Sequence, residues 1–159
     1  MQLRPYHAGD RNALVDLWYE SWRSIGLPSP VVTRADLAGR APDDLARRWT
    51  VTLAEADGRL VGFLALVLAE TRLDQLFVSP GAQGQGVGLA LFNVAVERMP
   101  GGFWLSTHPD NRRARAFYER RGMTVEPAET GVTGERVVYV IRPSAPWRGP
   151  PAGRFKGAG

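Results

Sequence analysis

Apolar and polar positions alternate briefly from Leu3 to Tyr6, which predicts a short strand, and Asp10 is placed to cap a following helix. In that helix Leu14, Leu17, Trp18, Trp22 and Ile25 recur at three- and four-residue spacing, a core-facing stripe. The loop Gly26 to Pro30 ends it, and residues 33–49 predict one or two short helices interrupted near Pro42, with Thr33 and Asp43 near their starts. Strands Trp49 to Glu55 and Leu60 to Leu68 flank Asp57-Gly58, the residue pair of a tight hairpin turn. The run Thr71 to Val78 is a further strand. It leads through a glycine-rich turn into a helix from Gly86 to Met99. Phe103 to Thr107 reads as a strand, and about Asp110 to Arg121 as a helix stopped by Gly122. Met123 to Glu126 and Glu135 to Ile141 read as two last strands around a Gly-containing turn. From Pro143 the chain is rich in Pro and Gly and loses its period, so the reading divides it into a domain at 1–142 and a tail at 143–159.

A hairpin-rich start, a crossover helix between two strands and helices for both faces predict an α/β (α+β) fold on a mixed sheet. At 159 residues the chain can bury a sizeable core without staples. With no cysteine it has no disulfide framework, thiol nucleophile or thiolate metal site, and no ligand spacing among the remaining residues suggests a metal. The N-terminus lacks the apolar core of a signal peptide and no apolar run reaches spanning length, so a soluble cytoplasmic protein without membrane contact is expected. The net charge of +4 is carried almost wholly by arginine, Lys156 being the only lysine, and favours an anionic ligand. No nucleic-acid partner is expected, because no helix combines clustered bases with aromatics.

Candidate chemistry concentrates after the strand that ends at Val78. In Ser79-Pro80-Gly81-Ala82-Gln83-Gly84-Gln85-Gly86-Val87-Gly88, glycines at 84, 86 and 88 let backbone N–H groups approach a ligand. The helix opening there adds its unpaired N–H groups and the positive end of its dipole. Together they suit a diphosphate. A P-loop would need Gly-Lys-Ser/Thr, and a dinucleotide fingerprint a glycine where Leu89 stands.

The spacing Gln-x-x-Gly-x-Gly at Gln83, Gly86 and Gly88 resembles the acetyl-CoA signature of the GNAT N-acetyltransferases. A second segment, Asn111 to Met123, is similar to that superfamily's later motif Asn-x-x-Ala-x-x-Phe-Tyr, with Met123 in place of a final aromatic. The likeness runs over roughly residues 2–142. It implies that the strands before and after the glycine-loop helix form a parallel pair that splays at one end. The pantetheine arm of acetyl-CoA would lie there against backbone groups of Leu76, Phe77 and Val78. The donor site so implied comprises these three with Gln83, Gly84, Gln85, Gly86, Val87, Gly88, Asn111, Ala114, Phe117 and Tyr118. Asn111, Ala114 and Tyr118 share one helical face, with Asn111 and Tyr118 roughly 10 Å apart along the axis, a span suited to an extended thioester arm.

The resemblance implies direct transfer of acetyl to a primary amine in a ternary complex, with Tyr118 protonating the departing thiolate. A phenol, with a usual pKa of about 10, is protonated at neutral pH and suits that task. For the base, family members often carry an acid where this chain has Arg72, or on the next strand near Ser106; Asp74 is the displaced candidate, followed by Glu70 and His108. By the period of two, Asp74 is expected on the face of Leu76 and Val78. Trp18 and Trp22 read as core, while Tyr19 and Glu20 lie off the stripe and are the acceptor-site candidates. The acceptor, a small molecule or a peptide amine, is not selected by any residue, and the sequence leaves a homodimer open. The alternative is a non-catalytic acyl-CoA-binding or regulatory domain, which has no need of Tyr118.

Overall fold

The computed structural model describes residues 1–27, 32–126 and 136–142. Strands β1 (Gln2–Pro5), β2 (Thr50–Ala56), β3 (Arg59–Val67), β4 (Arg72–Val78), β5 (Phe103–Thr107), β6 (Thr124–Glu126) and β7 (Val137–Ile141) form one sheet in the order β1-β2-β3-β4-β5-β7-β6. Every neighbouring pair is antiparallel except β4 and β5. Helices α1 (Arg11–Ile25) and α2 (Arg34–Arg47) cover one face, and α3 (Val87–Arg98) and α4 (Arg112–Glu119) the other. The mixed, mostly antiparallel sheet with one parallel pair and helices on both faces is the expected architecture. The turn between β6 and β7 and the tail from Pro143, both read from the sequence, lie outside the described residues.

Each face buries its own stripe. On the first, Leu14, Trp18, Leu37 and Ala41 pack against Leu53, Phe63 and Ala65. On the second, Leu91, Phe92 and Ala95 pack against Leu64, Leu73, Phe103 and Leu105. Full burial of one such side chain stabilises the fold by about 1.5–3 kcal/mol. The β2–β3 hairpin turns at Asp57 and Gly58, both at positive φ (51° and 69°), as its residue pair predicts.

Two local expectations are corrected. Asp10 stands at the cap position of α1 but its carboxylate does not cap that helix. It accepts from Arg4 Nη1 and Nη2 at 2.8 and 2.9 Å and from the His7 backbone N–H at 2.8 Å, tying β1 to the turn before α1. Residues 34–47 form one continuous helix with Pro42 inside it, without the expected interruption near that proline. A proline there removes the N–H that would bond the carbonyl four residues back. That carbonyl belongs to Ala38, and Arg11 Nη2 of α1 donates to it at 3.0 Å. The start of α2 is secured by a reciprocal pair of bonds between Thr33 and Asp36.

Candidate active site

Strands β4 and β5 meet at one end only. Arg72 and Trp104 are their sole partners in register, and the Trp104 N–H donates to the Thr71 carbonyl at 3.1 Å. The Arg72 guanidinium lies 5.5 Å from the centroid of the Trp104 ring, whose Nε1 donates to the Glu70 carbonyl at 3.0 Å, so this end is closed. Beyond it the strands part, and a cavity of about 430 Å³ runs through the gap.

The glycine loop forms one mouth. Gly84 and Gly86 adopt φ of 77° and 84°, a region that L side chains rarely enter, and a Cβ on either would meet nothing within 4 Å. The backbone there is therefore open to a ligand. Gln83 Nε2 donates to the Val78 carbonyl at 3.1 Å and Gln85 Nε2 to the Gly81 carbonyl at 3.0 Å, so the two glutamines hold the loop's shape. Gly86 is the N-cap of α3, whose first N–H groups follow. At Gly88 a Cβ would come within 3.2 Å of Phe117 Cε2, which is how α3 and α4 approach each other. The donor-site residues named from the sequence all line the cavity except Gln85 and Val87. Gln85 turns outward to Gly81, and Val87 is buried in the core. The Val78 carbonyl, one of the backbone groups expected to meet the pantetheine arm, already accepts from Gln83. Three cations that the sequence did not single out, Arg113, Arg120 and Arg121, also line the cavity. Burial and neighbouring Arg120 lower the Arg121 pKa. Its guanidinium lies 3.4 Å from the Phe117 ring centroid and Nη1 donates to the Phe117 carbonyl at 2.7 Å.

Helix α4 presents Asn111, Ala114 and Tyr118 to the cavity together. Asn111 Oδ1 accepts from the Ala114 N–H at 3.2 Å, so its carbonyl end caps the helix. Tyr118 is buried, its ring centroid 5.3 Å from Phe117, 6.0 Å from Tyr139 and 6.3 Å from Phe92. Burial pushes the phenol above its ordinary pKa, and Arg121 partly opposes this. The helix is held to β7 by Tyr139, whose hydroxyl donates to Glu119 Oε1 at 2.5 Å and accepts from Arg115 Nε at 3.1 Å.

The opposite mouth lies on the face of α1 and α2. Here the period of two fails: Ala65 pairs with Gln75 and Leu66 with Leu73, leaving Asp74 as an extra, bulged residue in β4. Asp74 therefore does not share the face of Leu76 and Val78, which pack with the α3 core. It turns to the other face, where Trp49 Nε1 donates to Oδ2 at 2.6 Å and Arg72 Nη2 stands 3.2 Å from Oδ1. Its side chain is only 2% exposed, and a carboxylate so buried requires such partners. Glu70 pairs with Arg72 Nε at 3.2 Å. His108 lines the cavity and its Nδ1 accepts from the Asp110 N–H at 3.1 Å. Ser106 accepts from Arg136, whose Nε reaches Oγ at 3.3 Å and Nη2 the carbonyl at 3.0 Å. Burial lowers the Arg136 pKa, and the charge of Asp74 works against that.

Tyr19 and Glu20 do not line the cavity. Tyr19 packs on the core under Arg23, 5.5 Å from its ring centroid, and Glu20 is exposed. Helix α1 contributes Ser21, Trp22 and Ile25 instead. Trp18 is core as read, and Trp22 is half-buried at the cavity wall. Ser21, Gln75 and Arg136 escaped the sequence reading. A signal existed for Ser21: it continues the series Leu14, Trp18, Ser21, Ile25, so a hydroxyl stands where the stripe calls for an apolar side chain. Among the described residues no cluster of His, Asp and Glu could hold a metal, and no helix is long and apolar enough to cross a membrane.

Comparison with known proteins bears on this arrangement. The family model described as Acetyltransferase (GNAT) family matches residues 11–123. An uncharacterized N-acetyltransferase of Mycobacterium tuberculosis is 30% identical over 90 residues, which span 52% of this chain and 58% of that protein. The chain thus spans little more than half the length of that relative. A peptidyl-lysine N-acetyltransferase of Escherichia coli is 28% identical over 135 residues, covering 77% of this chain and 83% of that protein. Among solved structures, the PaiA N-acetyltransferase of Thermoplasma acidophilum in complex with coenzyme A aligns with a TM-score of 0.71 at 19% identity, over 89% of this chain and 98% of that one. The ribosomal-protein-S18-alanine N-acetyltransferase of Escherichia coli aligns with a TM-score of 0.70 at 16% identity, over 92% of this chain and 96% of that one. The structural likenesses support the fold, and the family match covers more than half the chain. This chain belongs to the GNAT family of acetyltransferases.

Proposed function

We propose that the protein is an acetyl-CoA-dependent N-acetyltransferase that moves an acetyl group to a primary amine by direct attack in a ternary complex. The observation that carries the reading is the cavity between the parted strands, which joins the glycine loop on one face to the Asp74 mouth on the other. Two substrates can therefore meet from opposite sides without displacing each other. The donor supplies an activated acyl carbon. The open backbone from Gln83 to Gly88 holds its pyrophosphate, and Arg113, Arg120 and Arg121 supply charge for its phosphates. Leu76 to Val78 and the Asn111–Ala114–Tyr118 face of α4 flank the arm between them.

At the far mouth Asp74, oriented by Trp49 and Arg72, receives the acceptor ammonium and takes its proton. The freed amine nitrogen bonds to the acyl carbon, and the carbon–sulfur bond breaks as Tyr118 gives its proton to the departing sulfur. The second proton, shed by the new amide nitrogen, returns Tyr118 to its neutral form through water. Held protonated by burial, Tyr118 is in the form this step needs. The test has two parts: calorimetric titration with acetyl-CoA, and an amine screen read by thiol release. Binding of acetyl-CoA together with amine-dependent thiol release supports the reading. Failure to bind acetyl-CoA refutes it.

A further inference from the structure

Among the described residues six buried side-chain polar atoms lack a hydrogen-bond partner, and most are accounted for. Glu70 Oε2 and two nitrogens of Arg72 stand 3.2 Å from opposite charges, and Arg121 lies against the Phe117 ring. Two atoms remain, Ser21 Oγ and Gln75 Nε2. Both residues are 2% exposed and both line the cavity at the Asp74 mouth. Buried polar groups are almost always satisfied, so an unpartnered amide and hydroxyl on two residues of a cavity wall point to a ligand that completes them once it seats there.

The bulge explains why these groups act together. Consecutive strand residues ordinarily point to opposite faces. Here Asp74 bonds to Trp49 and Gln75 is in register with Ala65, and Trp49 and Ala65 belong to the same core cluster. A carboxylate and an amide donor from adjacent residues thus serve one face. A side-chain amide nitrogen only donates, a hydroxyl can donate, and Arg136 adds a cation at the same mouth. The complement to this set is a cationic nitrogen with an acceptor oxygen a few bonds away. A plain alkylamine brings no oxygen, and a polyamine brings further cations toward Arg136. Half-buried Trp22, Ile25 and Leu27 leave an apolar wall for a modest side chain.

Resting on the transferase reading above, we propose that the acceptor is an α-aminoacyl compound whose amine faces Asp74 and whose carbonyl oxygen accepts from Gln75 Nε2 and Ser21 Oγ. The test is calorimetry on the protein loaded with CoA, titrated with L-alaninamide and with its alkyl isostere bearing isopropyl in place of the carboxamide. Alaninamide should bind about tenfold more tightly, the scale of one net hydrogen bond. Gln75→Leu and Ser21→Ala should each move that ratio toward one while the affinity for acetyl-CoA holds. Alanine and alanyl-alanine titrated alongside separate a free amino acid from a peptide N-terminus. Equal affinity for the two amines, no affinity for either, or an unchanged ratio in both variants overturns the proposal. The wild-type comparison decides even if Gln75→Leu does not fold. Preferential binding without thiol release from acetyl-CoA would instead remove the transferase reading and leave the aminoacyl site standing.

Discussion

At the scale of single residues, the proposed chemistry turns on Tyr118. Tyr118→Phe keeps the ring among Phe92, Phe117 and Tyr139 and removes only the proton donor. Acetyl-CoA affinity should hold, and kcat and kcat/KM should fall together by about 10²–10⁴-fold, the loss expected of a general acid used in the transition state. Unchanged turnover with a competent amine would assign the proton to water and leave Tyr118 a packing residue. Its raised pKa adds a pH signature. Because the folded protein favours the neutral phenol, Tyr118 contributes stability that is complete below the usual phenol value of about 10 and is lost as pH rises through the higher folded value. The same direction means that wild-type kcat should show no alkaline fall between neutrality and about pH 10, a profile that stopped-flow or steady-state rates would read. That Tyr118 faces the cavity was legible because its motif also fixes its helical face. Asp74 was legible as an acid of interest and misplaced as to face, since nothing in the run Arg72 to Val78 betrays a bulge.

Elements were more readable than their joints. The stripe of α1, the Asp57-Gly58 hairpin and the strand–glycine–helix unit all follow from period and turn chemistry, and their bounds moved by only a residue or two. The glycine loop supports a direct expectation. Gly86→Val places a β-branched residue at φ 84° at the mouth where backbone is open, so acetyl-CoA affinity should drop sharply on calorimetry of folded protein. Unchanged affinity would move the diphosphate site elsewhere. Helix α2 was misread for a physical reason: a proline predicts interruption, and its repair came from Arg11 on a different element, a distance no local pattern spans. Pro42→Ala restores the missing N–H, so thermal denaturation should show stabilisation of about 1–3 kcal/mol, reduced to the extent that Arg11 already satisfies Ala38. A lower Tm would mean that Pro42 packs usefully where it stands.

At the scale of the whole molecule, the described sheet ends in a short strand, β6. Among the described residues the order of strands places β6 at an edge with three residues, and Val125 there is 54% exposed. Such an edge is short enough to limit pairing with other chains, yet it offers an apolar side chain to a partner. We place the domain boundary at 142 on the sequence pattern, because the apolar period is lost from Pro143 onward. On that division, a chain ending at Pro143 should keep its Tm to within a few degrees and its acetyl-CoA affinity unchanged, because the segment removed carries no periodic apolar pattern. Sedimentation of both forms adds the discriminating measurement. A monomer of equal stability in each form supports a self-sufficient domain. A truncated chain that melts earlier and self-associates would mean that residues beyond Pro143 cover the β6 edge. The boundary would then have to move past Pro143, with the tail counted as part of the fold.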